Sequence, residues 1–127
     1  MPEAGHYPQQ APIDAYGNGG FRFADMSHRG SLLCLPAGML AWSVETAGQL
    51  TLESLQPVFD AAAQIDVLLI GLGSDVVALP RPIREALRAE SIIVEAIATG
   101  GAVRTYNVLL GEGRAVAAAL IAVASAG

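Results

Sequence analysis

A glycine-rich turn at the end of residues 66–75 (DVLLIGLGSD) could bind a small anion. The turn contains Gly71, Gly73, Ser74 and Asp75, and the backbone N–H groups of the last three residues could converge on one anion. The spacing does not match a dinucleotide-binding fingerprint, because the third glycine is missing and the next helix begins several residues later. We favour the simpler interpretation, in which both glycines let the chain turn sharply off a buried strand.

A second group of polar residues follows that turn and could form a pocket with Glu95 as a general base. The group consists of Glu95, Thr99, Arg104, Asn107, Glu112 and Arg114. Glu95 follows an apolar segment, where an unpaired carboxylate would be costly. We favour a bracing role, in which Glu95 pairs with an arginine while Thr99 and Asn107 satisfy backbone groups of loops or helix ends.

Other catalytic or metal sites have little support in the sequence. Ser74 does not lie in the G-x-S-x-G turn that exposes a nucleophilic serine. The two histidines are His6, in the expected tail, and His28, which we interpret as a solvated turn residue within MSHRG. Cys34 lies within SLLCL and is expected to be a small core residue. We therefore expect no catalytic residue, no metal and no cofactor.

The composition limits the classes of partner. The 127 residues fit one domain, with 53% hydrophobic residues and a net charge of −5. All seven basic residues are arginines and do not cluster, so nucleic-acid binding is not expected. The absence of lysine excludes Schiff-base chemistry and the lysine of a P-loop. A single cysteine fits a reducing compartment.

No targeting or membrane-spanning segment is predicted. Residues 1–12 are rich in Pro and Gln, and we expect a flexible tail there before a single domain at 13–127. This tail lacks the basic and apolar regions of a secretory signal. The longest apolar tract, at 115–124, is well below the ~18–20 residues needed to cross a bilayer. We expect a soluble protein that could still dock on a membrane-bound partner.

The elements that must position these residues follow from hydrophobic periodicity and turn chemistry. Short strands are predicted at residues 13–16, 21–23, 31–35 and 39–44, with turns at 17–20 and 26–30. The first two form a β-hairpin, and the fourth contains Trp42, which we expect to be buried.

The second half of the chain alternates helices with strands. Helices are predicted at residues 54–64, 82–90 and 99–110, a central strand within 66–75, an extended segment at 76–79 and a buried strand at 91–96. Ser54, rather than Thr51, and then Thr99 are the expected helix caps, with Gly111 as a terminating glycine. Alanine content favours a helix at residues 114–123, although a strand is also open. The result is an α/β layered domain with a mixed sheet.

The carboxyl-terminal half contains a combination of short motifs, which are DVLLIGLG at 66–73, Pro80, Glu95, Thr99, Ala102, TYN at 105–107 and GEGR at 111–114. Together they resemble the Mth938-like domain family (DUF498), which includes the mitochondrial respiratory complex I assembly factor three. The resemblance covers roughly residues 13–123. It implies three layers around a central mixed β-sheet, helices on its faces, an N-terminal β-hairpin, and a strand rather than a helix at 114–123.

For function, the resemblance implies a non-catalytic interaction protein related to respiratory complex I assembly. The expected partners are respiratory-complex subunits or other assembly proteins, and the expected location is cytoplasmic, peripheral at the inner membrane through a partner. The alternative is a small-molecule-binding domain or enzyme with a pocket near the glycine turn. That alternative needs a cavity that joins the turn to Glu95, Asn107 and Arg114.

Overall fold

The computed structural model describes residues 7–74 and 77–125, which form two β-sheets and three α-helices. The strands are β1 (Ala15–Gly17), β2 (Gly20–Phe23), β3 (Met26–Arg29), β4 (Ser31–Leu35), β5 (Gly38–Trp42), β6 (Val67–Gly71), β7 (Ile93–Ile97) and β8 (Val116–Leu120). The helices are α1 (Gln56–Asp60), α2 (Arg81–Ala89) and α3 (Thr99–Gly111), and 3₁₀ turns cover Ala47–Gln49, Glu53–Leu55 and Ala62–Gln64. His6, Asp75 and Val76 lie outside the described residues, and so does the first half of the predicted tail.

The larger sheet has five strands in the order β5-β4-β8-β6-β7. β8 and β7 run parallel to β6, whereas β4 runs antiparallel to both β8 and β5, so the sheet is mixed as predicted. The prediction that residues 66–75 contain the central strand is wrong. β6 is the fourth strand, and β8 occupies the centre because it pairs with both β4 and β6.

The central position of β8 explains why the helix favoured by alanine content at 114–123 does not form. All five residues of β8 are buried. Ala117 and Ala119 pack into one core, and Val116, Ala118 and Leu120 pack into the other. Backbone pairing on both sides and burial of both faces outweigh a helix propensity of less than about 1 kcal/mol per residue. The strand implied by the family resemblance is therefore confirmed.

Two hydrophobic cores lie on opposite faces of the five-stranded sheet. One contains Val58 of α1 with Ile83 and Leu87 of α2. The other contains Ala102, Val103 and Tyr106 of α3 with Phe21 and Phe23 of β2. The protein therefore has three layers, with α3 and the smaller sheet on one face and the other two helices on the opposite face.

The smaller sheet has the order β1-β2-β3 and contains the predicted β-hairpin. Asn18 and Gly19 make its two-residue turn, with φ angles of 53° and 77°. The prediction of a turn at 26–30 is wrong, because β3 occupies most of that segment. The chain reverses earlier, at Ala24 and Asp25, where the φ angles are 48° and 62°. Alanine seldom adopts a positive φ angle. Sequence patterns therefore carry little signal for this reversal.

The helix predicted at 54–64 is broken into the five-residue α1 and two flanking 3₁₀ turns. The hydroxyls of Thr51 and Ser54 accept hydrogen bonds from each other's backbone N–H at 3.0 Å, so Ser54 does not cap α1. Pro57 lies in the first turn of α1, where its missing N–H is tolerated.

The ends of α3 also differ from the prediction. Thr99 opens the helix, but no side-chain cap is present there. Gly111 is the last helical residue, and Gly113 instead takes the left-handed conformation with φ 77°. The N–H groups of Gly113 and Arg114 donate 3.0 Å hydrogen bonds to carbonyls in the last helical turn, which is a Schellman arrangement.

Residues 7–12, which the sequence places in a flexible tail, are held against the domain. Tyr7 exchanges two backbone hydrogen bonds with Met39 of β5, at 3.0 and 2.8 Å. Gln10 donates to the carbonyl of Val116 at 2.7 Å, and Ala11 is buried. These partners lie far away along the chain, so local composition does not reveal the contacts of residues 7–12.

Candidate functional site

Thr99 connects the glycine turn to the first turn of α3 and to the end of β8. Its buried hydroxyl accepts a hydrogen bond from the N–H of Gly73 at 2.9 Å and donates one to the carbonyl of Ile121 at 2.7 Å. The N–H of Thr99 donates to the carbonyl of Gly73 at 3.1 Å. The amide of Gly73, one of the three expected anion donors, is therefore already bonded within the protein.

A cavity of about 300 Å³ lies beside this turn. Its lining includes Gly73 and Ser74 from the turn, Gly100 and Gly101 from α3, and Arg104. Asp75, the remaining member of the predicted anion site, lies outside the described residues. Glu95, Asn107 and Arg114 do not line this cavity.

The acidic and basic members of the second polar group lie in three separate places, the first being the cavity that Arg104 lines. Glu95 is exposed on β7 and lines a different groove, together with Arg84. Glu112 and Arg114 are exposed beyond the carboxyl end of α3. A helix of 13 residues is about 20 Å long, so they are roughly that distance from Thr99. The described residues do not form the single pocket that the small-molecule alternative requires.

The prediction that Glu95 lies in a buried strand is wrong. β7 is at the edge of the sheet, and its residues are exposed or half-buried. In the described part of the chain Glu95 has no ion pair, so the expected pairing with an arginine is not present. A charged residue inside a β-branched run is a signal of an edge strand, and Ile93 to Glu95 carries that signal.

Asn107 and Tyr106 join α3 to the segment before β1. The side-chain amide of Asn107 accepts from the N–H of Ile13 and donates to its carbonyl, both at 2.8 Å. The hydroxyl of Tyr106 donates to the carbonyl of Ala11 at 2.7 Å. Sequence analysis named Tyr106 only within the TYN motif and missed this polar role, which the adjacent asparagine could have suggested.

Cys34 and Tyr106 are both kept protonated by their surroundings. Burial raises the pKa of the Cys34 thiol, and its contact with the Tyr106 hydroxyl only partly opposes this effect. Burial, followed by the proximity of Cys34, raises the pKa of Tyr106. Because the thiolate is the reactive form of cysteine, Cys34 is an inert core residue, as its sequence context suggested.

His28 is buried, and the prediction of a solvated turn residue is wrong. It lies on the inward face of β3 and is only 4% exposed. Its Nε2 lies 2.8 Å from the carbonyl oxygen of Ser31. Its Nδ1 is buried and has no hydrogen-bond partner among the described residues. The error follows from the missed strand at 26–29.

Residues 7–74 and 77–125 contain neither a metal-ligand cluster nor a membrane-spanning helix. No group of three or more His, Cys, Asp and Glu side chains within those ranges is placed to hold a metal ion. None of the helices found there is long and apolar enough to cross a membrane.

Solved structures define the class of protein. A crystal structure described as an outer membrane protein from Bartonella henselae shares 52% sequence identity, with a TM-score of 0.89 over 93% of this chain and 99% of that one. A solution structure of a Mth938-like domain from Bordetella pertussis shares 26% identity, with a TM-score of 0.77 over 96% and 92% of the two chains. The protein has the Mth938-like α/β fold.

The chain belongs to the family described as protein of unknown function (DUF498/DUF598), whose family model matches residues 13–121. An uncharacterised protein from Rhodobacter capsulatus is 40% identical over 110 residues, which are 87% of this chain and 83% of that protein. NADH dehydrogenase [ubiquinone] 1 alpha subcomplex assembly factor 3 from Mus musculus is 32% identical over 115 residues. The match covers 91% of this chain and 62% of the mouse protein.

Proposed function

We propose that this chain is a non-catalytic interaction protein that assists the assembly of respiratory complex I. The observation that carries the proposal is the 32% identity to the mouse assembly factor across 91% of this chain. The similarity extends over 115 residues rather than over one short motif. Function can diverge on a shared fold, so the role needs a direct test.

The hydrogen bonds of the polar side chains favour a structural role for them over a catalytic one. Thr99, Tyr106 and Asn107 belong to the segments by which the chain resembles the family, and each bonds to backbone groups. A side chain that satisfies a backbone donor or acceptor holds segments of the fold together. These residues therefore support a rigid surface that can be presented to a partner.

The partners expected under this proposal are complex I subunits or other assembly proteins, and contact with the inner membrane would be made through them. The test is deletion of the gene in its own host, followed by measurement of NADH oxidation by isolated membranes. We expect lower complex I activity and accumulation of partly assembled subcomplexes on native gels, with succinate oxidation unchanged as the internal control.

Complementation makes the test specific. Expression of the intact chain should restore NADH oxidation in the deletion strain. A tagged chain recovered from the same cells should carry complex I subunits or assembly proteins with it. Normal complex I activity and normal assembly in the deletion strain would refute the proposed role.

A further inference from the structure

The two edges of the five-stranded sheet differ in whether another segment pairs with them in the described part of the chain. At the β5 edge, Tyr7 exchanges two backbone hydrogen bonds with Met39, so another strand cannot pair at that point. At the opposite edge, β7 pairs only with β6 among the described residues. An open edge is a template for another strand, and proteins usually protect it or use it.

The hydrogen bonds between β7 and the β6 segment show which backbone groups of β7 point away from the sheet. The N–H of Ile93 donates to Asp66 at 2.9 Å, and the carbonyl of Ile97 accepts from Leu72 at 2.8 Å. Because alternate residues of a strand direct their backbone groups to opposite sides, Val94 and Ala96 direct theirs away from β6. They offer two donors and two acceptors to an added strand.

The surface beside this edge is concave and carries both apolar and charged side chains. Ile93 on β7 is 64% exposed, and Val77, which lines the groove, is 51% exposed. The groove has a volume of about 460 Å³ and is lined by residues 77–79, Arg84 and residues 94–97. An added strand would cover apolar surface as well as complete the backbone pairing.

Glu95 determines which strand fits. It is exposed at the middle of β7 and shares its face with Ile93 and Ile97, since side chains alternate along a strand. A second copy paired over the full length of β7 would place Glu95 directly opposite Glu95 of that copy. Like charges in that position are destabilising, whereas an opposite charge is stabilising.

We propose that the outer edge of β7 binds an extended segment of another protein by strand addition. That segment carries a basic residue opposite Glu95, between apolar residues opposite Ile93 and Ile97. The inference rests on the proposed function in treating the chain as an interaction protein, and it names the surface and the chemistry of the partner.

The test uses the full chain labelled with ¹⁵N and two synthetic peptides, TVTRTVT and TVTETVT. We expect TVTRTVT to shift the amide resonances of Val94 and Ala96 and to slow their hydrogen exchange. It should bind about fivefold more tightly than TVTETVT, because the swap replaces an attractive cross-strand pair by a repulsive one.

A charge reversal on the protein completes the test. Glu95→Arg should invert the preference so that TVTETVT binds more tightly. Glu112→Arg makes the same charge change at another exposed residue and should leave the preference unchanged. Unchanged resonances elsewhere in the spectrum would show that both variants keep the fold.

Three results would overturn the proposal. One is the absence of any response at Val94 and Ala96 to millimolar TVTRTVT. Another is a preference that Glu95→Arg does not invert. The third is protection of β7 that grows with protein concentration alone, together with a dimer in sedimentation, which would make a second copy the occupant. None of these results bears on the deletion phenotype, so each proposal can fail while the other stands.

Discussion

Asn107 holds Ile13 through two hydrogen bonds of 2.8 Å, one to its backbone N–H and one to its backbone carbonyl. This arrangement reproduces the pairing that a neighbouring strand would supply. It attaches the segment before β1 to the middle of α3, and the adjacent Tyr106 does the same for Ala11. The segment before β1 is therefore held to α3 by two consecutive side chains of that helix.

Replacing Asn107 should destabilise the fold. Asn107→Ala leaves the N–H and carbonyl of Ile13 without their partner, and we expect the free energy of unfolding to fall by about 1–2 kcal/mol because the site is half-buried. Urea unfolding followed by the fluorescence of Trp42 measures the loss. Arg104→Ala changes an exposed residue of the same helix and should stay within about 0.5 kcal/mol of the parent chain. Equal losses in the two variants would contradict this role of Asn107.

The hydroxyl of Thr99 should contribute more to the free energy of unfolding than the shape of the side chain does. Thr99→Val keeps the shape of the side chain but leaves the N–H of Gly73 and the carbonyl of Ile121 unpaired in a buried site. We expect a loss of about 1–3 kcal/mol in the free energy of unfolding and faster hydrogen exchange at Gly73. Thr99→Ser keeps the hydroxyl, so the exchange rate at Gly73 should change much less. A slow Gly73 amide in Thr99→Val would show that the bond is dispensable.

Replacing Gly71 and Gly111 by alanine should change the free energy of unfolding in opposite directions. A Cβ atom at Gly71 would lie 3.0 Å from both the Cα and the Oγ1 of Thr99 and 3.1 Å from Leu120. Gly71→Ala should therefore lower the free energy of unfolding by about 1–3 kcal/mol through overpacking. At Gly111 the corresponding atom meets nothing within 4 Å. Gly111→Ala should raise the free energy of unfolding by about 0.4–1 kcal/mol, and thermal unfolding of both variants checks the contrast.

Stability should fall at alkaline pH. Burial raises the pKa of Cys34 above its ordinary 9.0 and that of Tyr106 above its ordinary 10.0. The unfolded chain loses the Cys34 proton above about pH 9 and the Tyr106 proton above about pH 10, whereas the folded chain keeps both. The stabilising contribution is therefore complete below pH 9 and decreases above it, by up to about 1.4 kcal/mol per pH unit for each group. Urea unfolding between pH 7.5 and 10.5 measures the decrease.

A cysteine variant separates the two contributions to this pH dependence. Cys34→Ala removes the first titrating group, so the decrease should begin nearer pH 10, where Tyr106 alone contributes. In the parent chain at pH 8, iodoacetamide should modify Cys34 only after unfolding, since the thiol is fully buried. Rapid modification of the folded chain would contradict the buried, neutral thiol.

Local signals predicted the elements that depend on local physics. The β-hairpin follows from Asn18 and Gly19, because these residues readily adopt the positive φ angles that its turn needs. α2 and α3 follow from helical spacing of apolar residues, and β4 forms over Ser31–Leu35 as predicted. The types of Thr99 and Asn107 also indicated that they would satisfy backbone groups.

The sequence by itself determined the α/β class, the hairpin and most of the helices and strands, because each depends on neighbours within a few positions along the chain. Only the tertiary structure decided that β8 is a central strand, that β7 is an edge strand, and that His28 is buried. Those outcomes depend on which strands lie side by side and which faces are covered. The partners of Asn107 and Thr99 are 94 and at least 22 positions away along the chain, so no local pattern specifies them.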